Sequence, residues 1–231
     1  MKWFTNFISS SIGQKLIMSL TGLFLVTFLV VHLIGNLQLL INDEGQTFNL
    51  YGEFMTTNPL IKTVSYGLYA FILLHAFQGW WLWKRNRDAR GNSRYAVNAT
   101  RAASTNAGMA KNMAILGTII FVFLIIHMGQ FWFKMKIGDL PMVTYDGVEV
   151  SNLYAPVKAA FTNIWFVLFY VFSMVIIGMH LKHGFQSAFQ TLGLNHPKYN
   201  GLISTVGTLY SILVPLGFAI IPIVFYVNHA S

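Results

Sequence analysis

The sequence predicts an all-α membrane protein, a bundle of five transmembrane helices forming one domain over residues 1–231. Two observations lead there. Of the 231 residues, 55% are hydrophobic and 10% charged, whereas a soluble domain carries about 25% charged residues. The apolar residues are also gathered into five runs, each long enough to cross a bilayer, which takes about 20 residues. There is no cysteine, which excludes disulfides and thiolate-held metal within the chain.

The first span is placed near Leu16–Ile41. It is too long for the apolar region of a secretory signal and lacks an Ala-x-Ala site, so it reads as a span. The second, Thr63–Trp83, ends in Trp80, Trp81 and Trp83, and the third, Asn112–Phe133, ends near Trp132. These are aromatic-belt positions at the two interfaces, with a stacking platform for a flat ring as their functional alternative. The fourth, Phe161–Leu181, continues through "HGFQSAFQTLG" as an amphipathic extension to about residue 192. The fifth, Leu202–Val227, contains Pro215 and Pro222, tolerated where neighbours satisfy the freed carbonyls. The chain shows no repeat at a fixed period and no low-complexity tract.

Orientation follows from Lys and Arg. One side receives Lys2, Lys15, the run Lys84, Arg85, Arg87, Arg90, Arg94, Arg101 and Lys111, then Lys182 and Lys198, with Asp88 as its only acid. The other receives Lys62, Lys134, Lys136 and Lys158 against Asp43, Glu44, Glu53, Asp139, Asp146 and Glu149. The sides carry +10 and −2, which reproduces the net charge of +8. The N-terminus is therefore expected in the cytoplasm and the C-terminus outside. The positive excess is explained by topology and needs no nucleic acid. The basic stretch 84–111 reads as a loop that enforces topology and meets anionic lipid, or as a dock for a soluble partner.

Four of the seven histidines lie within or at the ends of spans: His32, His75, His127 and His180, on the first to fourth in order. An imidazole in lipid gives up its water and must recover a partner. His32 is 17 residues beyond Lys15 and His127 is 16 beyond Lys111, so both lie roughly 25 Å from the cytoplasmic edge. His75, nine residues before Lys84, lies roughly 13 Å from that edge. His180 is lower still, and a tilt of about 20° closes part of the gap. Two levels, each with one histidine from each of two helices, suit two stacked b-type haems held by neutral imidazoles on both faces of each iron. Gly35, Gly79 and Gly184 follow His32, His75 and His180 by three or four residues, leaving the ligand's own face bare one turn on, where a porphyrin needs room. His127 has only Gly129, off that face. The alternative for any one of these histidines is a packed helix contact. His183 is a rival ligand, a partner for a haem propionate, or a snorkelling interfacial residue. His196 reads as a loop residue and His229 as part of a frayed tail.

No Asp or Glu lies inside the five segments, so the carboxylate relay of a pump or ion-coupled transporter is missing. There is no Walker loop, no H-E-x-x-H and no Ser–His–Asp set. Electrons rather than ions are the expected cargo.

The strings "GLFLVTFLVVHLIGN", "FILLHAFQGWWLWKR", "FVFLIIHMGQFW" and "GMHLKHGFQSAFQTLGLNHPKY" resemble the cytochrome b membrane-anchor subunit of succinate:quinone oxidoreductases and fumarate reductases, in its five-helix, single-chain, dihaem form. The resemblance covers almost the whole chain. It implies two haems b, with His32 and His127 on the distal iron and His75 and His180 on the proximal one. Gly184 and Gly193 match the family's pattern after the fourth ligand, which favours His180 over His183. It further implies an iron–sulfur subunit and a flavoprotein carrying FAD on the cytoplasmic face, a bacterial cytoplasmic membrane, and a complex whose dimerisation is left open. The chain itself would not bind the dicarboxylate. A quinone, menaquinone in many members, is expected near the distal haem beside "INDEGQTFNLYGEFMTTNPLIK". Some members carry a carboxylate where Asn49 aligns; here Glu53 stands one helical turn on, as proton acceptor or as a plain solvated acid. The alternatives are a dihaem subunit of another quinone-linked dehydrogenase or a hydrogenase, and a haem-free structural anchor.

Overall fold

A backbone that crosses lipid must satisfy its own N–H and C=O groups, and the five apolar runs do so as helices. The computed structural model describes residues 2–91 and 107–229. In chain order these form α1 (Lys2–Ser9), α2 (Ser11–Leu37, extended by a 3-10 turn Gln38–Leu40), α3 (Gln46–Thr57), α4 (Pro59–Arg90), α5 (Ala107–Gln130) and α6 (Trp132–Ile137). A hairpin of β1 (Met142–Tyr145) and β2 (Val148–Ser151) follows, then α7 (Tyr154–Phe161), α8 (Ile164–Thr191) and α9 (Pro197–His229). Among the described residues, α2, α4, α5, α8 and α9 are long and apolar enough to cross a membrane. The chain is a multi-pass membrane protein.

Capping fixes where the spans begin. Ser10 accepts from the Gly13 amide and starts α2 before Leu16. Asn58 accepts from the amides of Leu60 and Ile61, and Pro59 takes the first helical position, where its missing N–H costs nothing. At its other end α4 runs on to Arg90, so residues 84–90 are helix rather than loop. Arg94 and Arg101 of that basic stretch lie outside the described residues. The amphipathic extension and the fourth span are one helix, α8.

Packing is densest between α8 and α9, with α2 lying against α4, α8 and α9, and α5 against α8. Pro215 has no N–H for the Ser211 carbonyl four residues earlier. Gly178 of α8 sits on that carbonyl; a Cβ there would stand 2.8 Å from the oxygen. Leu20, Leu73, Ile125, Val175 and Leu213 are exposed around the bundle, as lipid-facing residues must be.

The connections depart from the all-α expectation. The first contains α3, and the third contains the hairpin, whose register pairs Val143 with Val150 and Tyr145 with Val148. Asp146 and Gly147 have φ of 50° and 85°, the pair of positive values that a two-residue hairpin turn requires. Gly45, at φ 84°, starts α3 with its bare face against the Tyr154 ring. These pieces are locked by Asn49, which is 0% exposed. Its amide donates to the Tyr145 hydroxyl at 2.9 Å and to Asn152 Oδ1 at 3.2 Å, while its carbonyl oxygen accepts from the Tyr154 amide at 3.0 Å. The result is a cap on the end of the bundle opposite the basic stretch.

Replacing Asn49 with Leu strands these partners and is expected to cost about 2–4 kcal/mol. Limited proteolysis between residues 142 and 151 should accelerate, with the five spans unchanged by circular dichroism. Asp43 holds the start of α3 by accepting from the Gly45 and Thr47 amides and from the Thr47 hydroxyl. Its slight burial pushes the carboxyl up, but these hydrogen bonds outweigh that and hold it below its ordinary value. A lowered carboxylate contributes above the unfolded value of about 4 and loses its contribution as pH falls through the folded one. The protection of the Thr47 amide, its slowing of exchange relative to an unfolded chain at the same pH, should therefore fall below about pH 4, a change that Asp43→Asn abolishes.

Candidate functional site

Four imidazoles meet in two pairs inside the bundle. His32 of α2 faces His127 of α5, with ring centroids 5.9 Å apart and planes at 84°. His75 of α4 faces His180 of α8 at 6.3 Å and 69°. The first pair lies toward the capped end, the second toward the basic end. Among the described residues no group of three or more His, Cys, Asp or Glu gathers to hold an ion. Each pair thus offers two nitrogens and no more.

Two nitrogens suit a metal that brings its remaining ligands with it. An imidazole nitrogen stands about 2 Å from the transition metal it binds, so rings on opposite sides of one ion have centroids about 6 Å apart. Both pairs have that separation. The rings border one continuous cavity of about 2540 Å³, which opens to the outside of the bundle at lipid-facing residues such as Leu73 and Ile115. The spacing and the space fit a flat tetrapyrrole between each pair.

Hydrogen bonds set the tautomers of one ring in each pair. The Thr21 hydroxyl donates to the Ile17 carbonyl at 2.8 Å, so its oxygen is left to accept from His75 Nδ1, 3.2 Å away. The Tyr170 hydroxyl donates to Gln130 Oε1 at 2.8 Å and likewise accepts from His127 Nδ1 at 3.3 Å. Both rings then carry their proton on Nδ1 and keep the Nε2 lone pair for a ligand. His180 Nδ1 is buried and has no hydrogen-bond partner among the described residues. His32 differs: the Asn36 amide donates to the His32 carbonyl at 2.8 Å and lies 3.3 Å from Nδ1, which makes that nitrogen an acceptor. A metal-bound His32 would have to exchange this contact for an acceptor.

Of the two histidines near the end of the fourth span, His180 meets His75, while His183 is half-buried at the cavity margin. His196 is exposed and its Nδ1 accepts from the Lys198 amide at 3.2 Å. His229 is not in a frayed tail; it is helical, bonded to the Phe225 carbonyl at 3.1 Å and lying 3.5 Å from the Tyr154 hydroxyl. Trp132 donates to the Tyr69 hydroxyl at 2.7 Å at the capped end. Lys84 and Arg87 lie over Trp80 and Trp83 at the other end, each 5.6 Å from the ring centroid.

Gly35, Gly79 and Gly184 all border the cavity, but the bare face of Gly35 is taken by Tyr51 and that of Gly79 by the Met18 methyl; only Gly184 opens on free space. The glycines beside the imidazoles are Gly22, opposite His75, and Gly117, opposite His180. Sequence reasoning confined to the ligand's own helix passes over them. The available signal was that each lies ten residues before the next histidine of its span. Asn49 and Glu53 are not among the cavity residues. Both amide hydrogens of Asn49 and one lone pair of its carbonyl oxygen are used in the cap.

Compared with known proteins, the chain matches no family model, no curated protein and no solved structure.

Tyr170→Phe removes the acceptor of His127 Nδ1 while keeping the ring that packs against Phe123 and Phe161. A loss of about 1–3 kcal/mol is expected, seen as a lower unfolding temperature at unchanged helix content.

Proposed function

We propose that the chain is the dihaem cytochrome b anchor of a succinate:quinone oxidoreductase or fumarate reductase, carrying electrons between an iron–sulfur subunit and membrane quinone. The observation that supports this most is the pair of facing imidazoles at each of two levels, spaced for a metal between them. Haem b supplies one-electron iron chemistry once bound. His32 and His127 would hold the distal group, His75 and His180 the proximal one. Thr21 and Tyr170 keep an Nε2 lone pair available in each pair and fix the ring against rotation. His183, Arg87 and Ser187 border the cavity at the basic end, where the carboxylates of a proximal porphyrin would need donors.

On this reading the basic end faces the cytoplasm of a bacterium, an orientation that the charge asymmetry supports. There Arg85 donates to buried Gln14 at 2.8 Å and ties α4 to α2, giving the iron–sulfur and flavin-bearing subunits a fixed basic surface to dock on. Quinone would exchange electrons at the capped end, where Tyr51, Tyr69 and Trp132 border the cavity next to the distal pair. The quinone role expected of Asn49 passes to these residues.

A second reading, a haem-free anchor with packed histidines, draws on one observation: the Asn36 amide satisfies His32 Nδ1 in the manner of an ordinary helix contact. The purified complex separates them. Two bis-imidazole b haems per chain are expected, with one lost in His32→Ala; a complex without haem leaves only the packed anchor. A co-purifying flavoprotein is expected, and its absence would turn the assignment to another dehydrogenase or to a hydrogenase.

A further inference from the structure

Two spans carry the same string. Residues 22–32 read "GLFLVTFLVVH" and residues 117–127 read "GTIIFVFLIIH", both G-x5-F-x3-H. Each position has the same place in the fold. The histidine belongs to the distal pair. The phenylalanine stacks on it one turn below: Phe28 on His32 at 5.2 Å and 17°, Phe123 on His127 at 5.6 Å and 23°. The glycine, ten residues or roughly 15 Å down the helix, lies at the level of the other pair. A Cβ on Gly22 would stand 3.2 Å from His75 Cε1, and one on Gly117 3.9 Å from His180 Cε1. The helices that carry those imidazoles share a string of their own, H-x3-G, in His75–Gly79 and His180–Gly184. The α2–α4 and α5–α8 pairs are thus two equivalent halves, each giving one histidine to each level.

We infer that Gly22 and Gly117 are positioning residues for the proximal site, seating its imidazoles so that an iron tetrapyrrole binds there independently of the distal site. The inference deepens the dihaem reading and rests on it. The proximal rings lie with their Cε1 edges against the neighbouring helix, and a glycine at each contact leaves them that room. The two seats differ in tolerance. At 3.2 Å a methyl on Gly22 is tighter than ordinary contact and pushes His75 toward the axis; at 3.9 Å a methyl on Gly117 is accommodated, and only a larger side chain moves His180. The distal pair, nearly three helical turns away, is left in place.

The test uses the full-length chain purified from membranes with its partners, read by haem per chain and by redox titration. Wild type is expected to hold two haems of distinct potential. Gly22→Val and Gly117→Leu should each hold one, the missing component being the one that His75→Ala also removes. Gly22→Ala should keep two with the proximal potential shifted, while the control Gly129→Ala, which meets nothing within 4 Å among the described residues, should match wild type. No haem in wild type defeats the dihaem reading itself. Two haems in wild type, with both potentials unchanged in Gly22→Val or Gly22→Ala, overturn this inference alone. Simultaneous loss of both haems in every Gly22 variant also overturns it, since the glycine would then serve the whole bundle. If the bulkier variants fail to accumulate, the Gly22→Ala potential decides.

Discussion

A neutral imidazole inside an apolar bundle has one N–H to donate and one lone pair to be met, and no water to do either. That requirement, made four times in this chain, governs which helix faces turn inward. The His32 and His127 rings face each other at one level and those of His75 and His180 at the other, and polar groups beside them meet Nδ1 of His32, His75 and His127. Thr21, Asn36, Gln130 and Tyr170, four polar side chains among otherwise apolar surfaces, all contact these rings or hold a residue that does. The remaining helix surface is free to be apolar and to face lipid.

The capped end is held by a different economy of polar groups. Asn49 is fully enclosed, yet three of its four hydrogen-bonding capacities are met by Tyr145, Asn152 and Tyr154. One short amide thereby joins α3, the hairpin and α7, beside the buried apolar side chains of Val150, Val157 and Phe161.

The spans were legible because about 20 apolar residues leave few other solutions, and the histidine levels because depth along a helix follows from residue count. Helix ends were less so: Pro59 and Asn58 carry the capping signature, but hydropathy alone starts the second span later. The hairpin was also written in the chain, in Asp146–Gly147 between Val143 and Val150, although a reading centred on span-length runs passes over strands of four residues. Gly22 and Gly117 are another matter. A glycine's partner on an adjoining helix depends on how two surfaces meet, which periodicity within one helix does not encode. The family resemblance alone aligns Asn49 with a carboxylate position; its enclosure depends on segments about a hundred residues away.

α8 adds a third measure of the same interval, since Tyr170, which bonds His127, and His180 are ten residues apart, as are Gly22 and His32, and Gly117 and His127. Three helices with different neighbours thus agree on one axial distance. Inserting a single residue between the levels of any one of them would swing everything beyond it by about 100° around the axis. The separation of the two histidine levels is therefore locked in phase, and evolution could lengthen this bundle at its ends far more readily than at its waist.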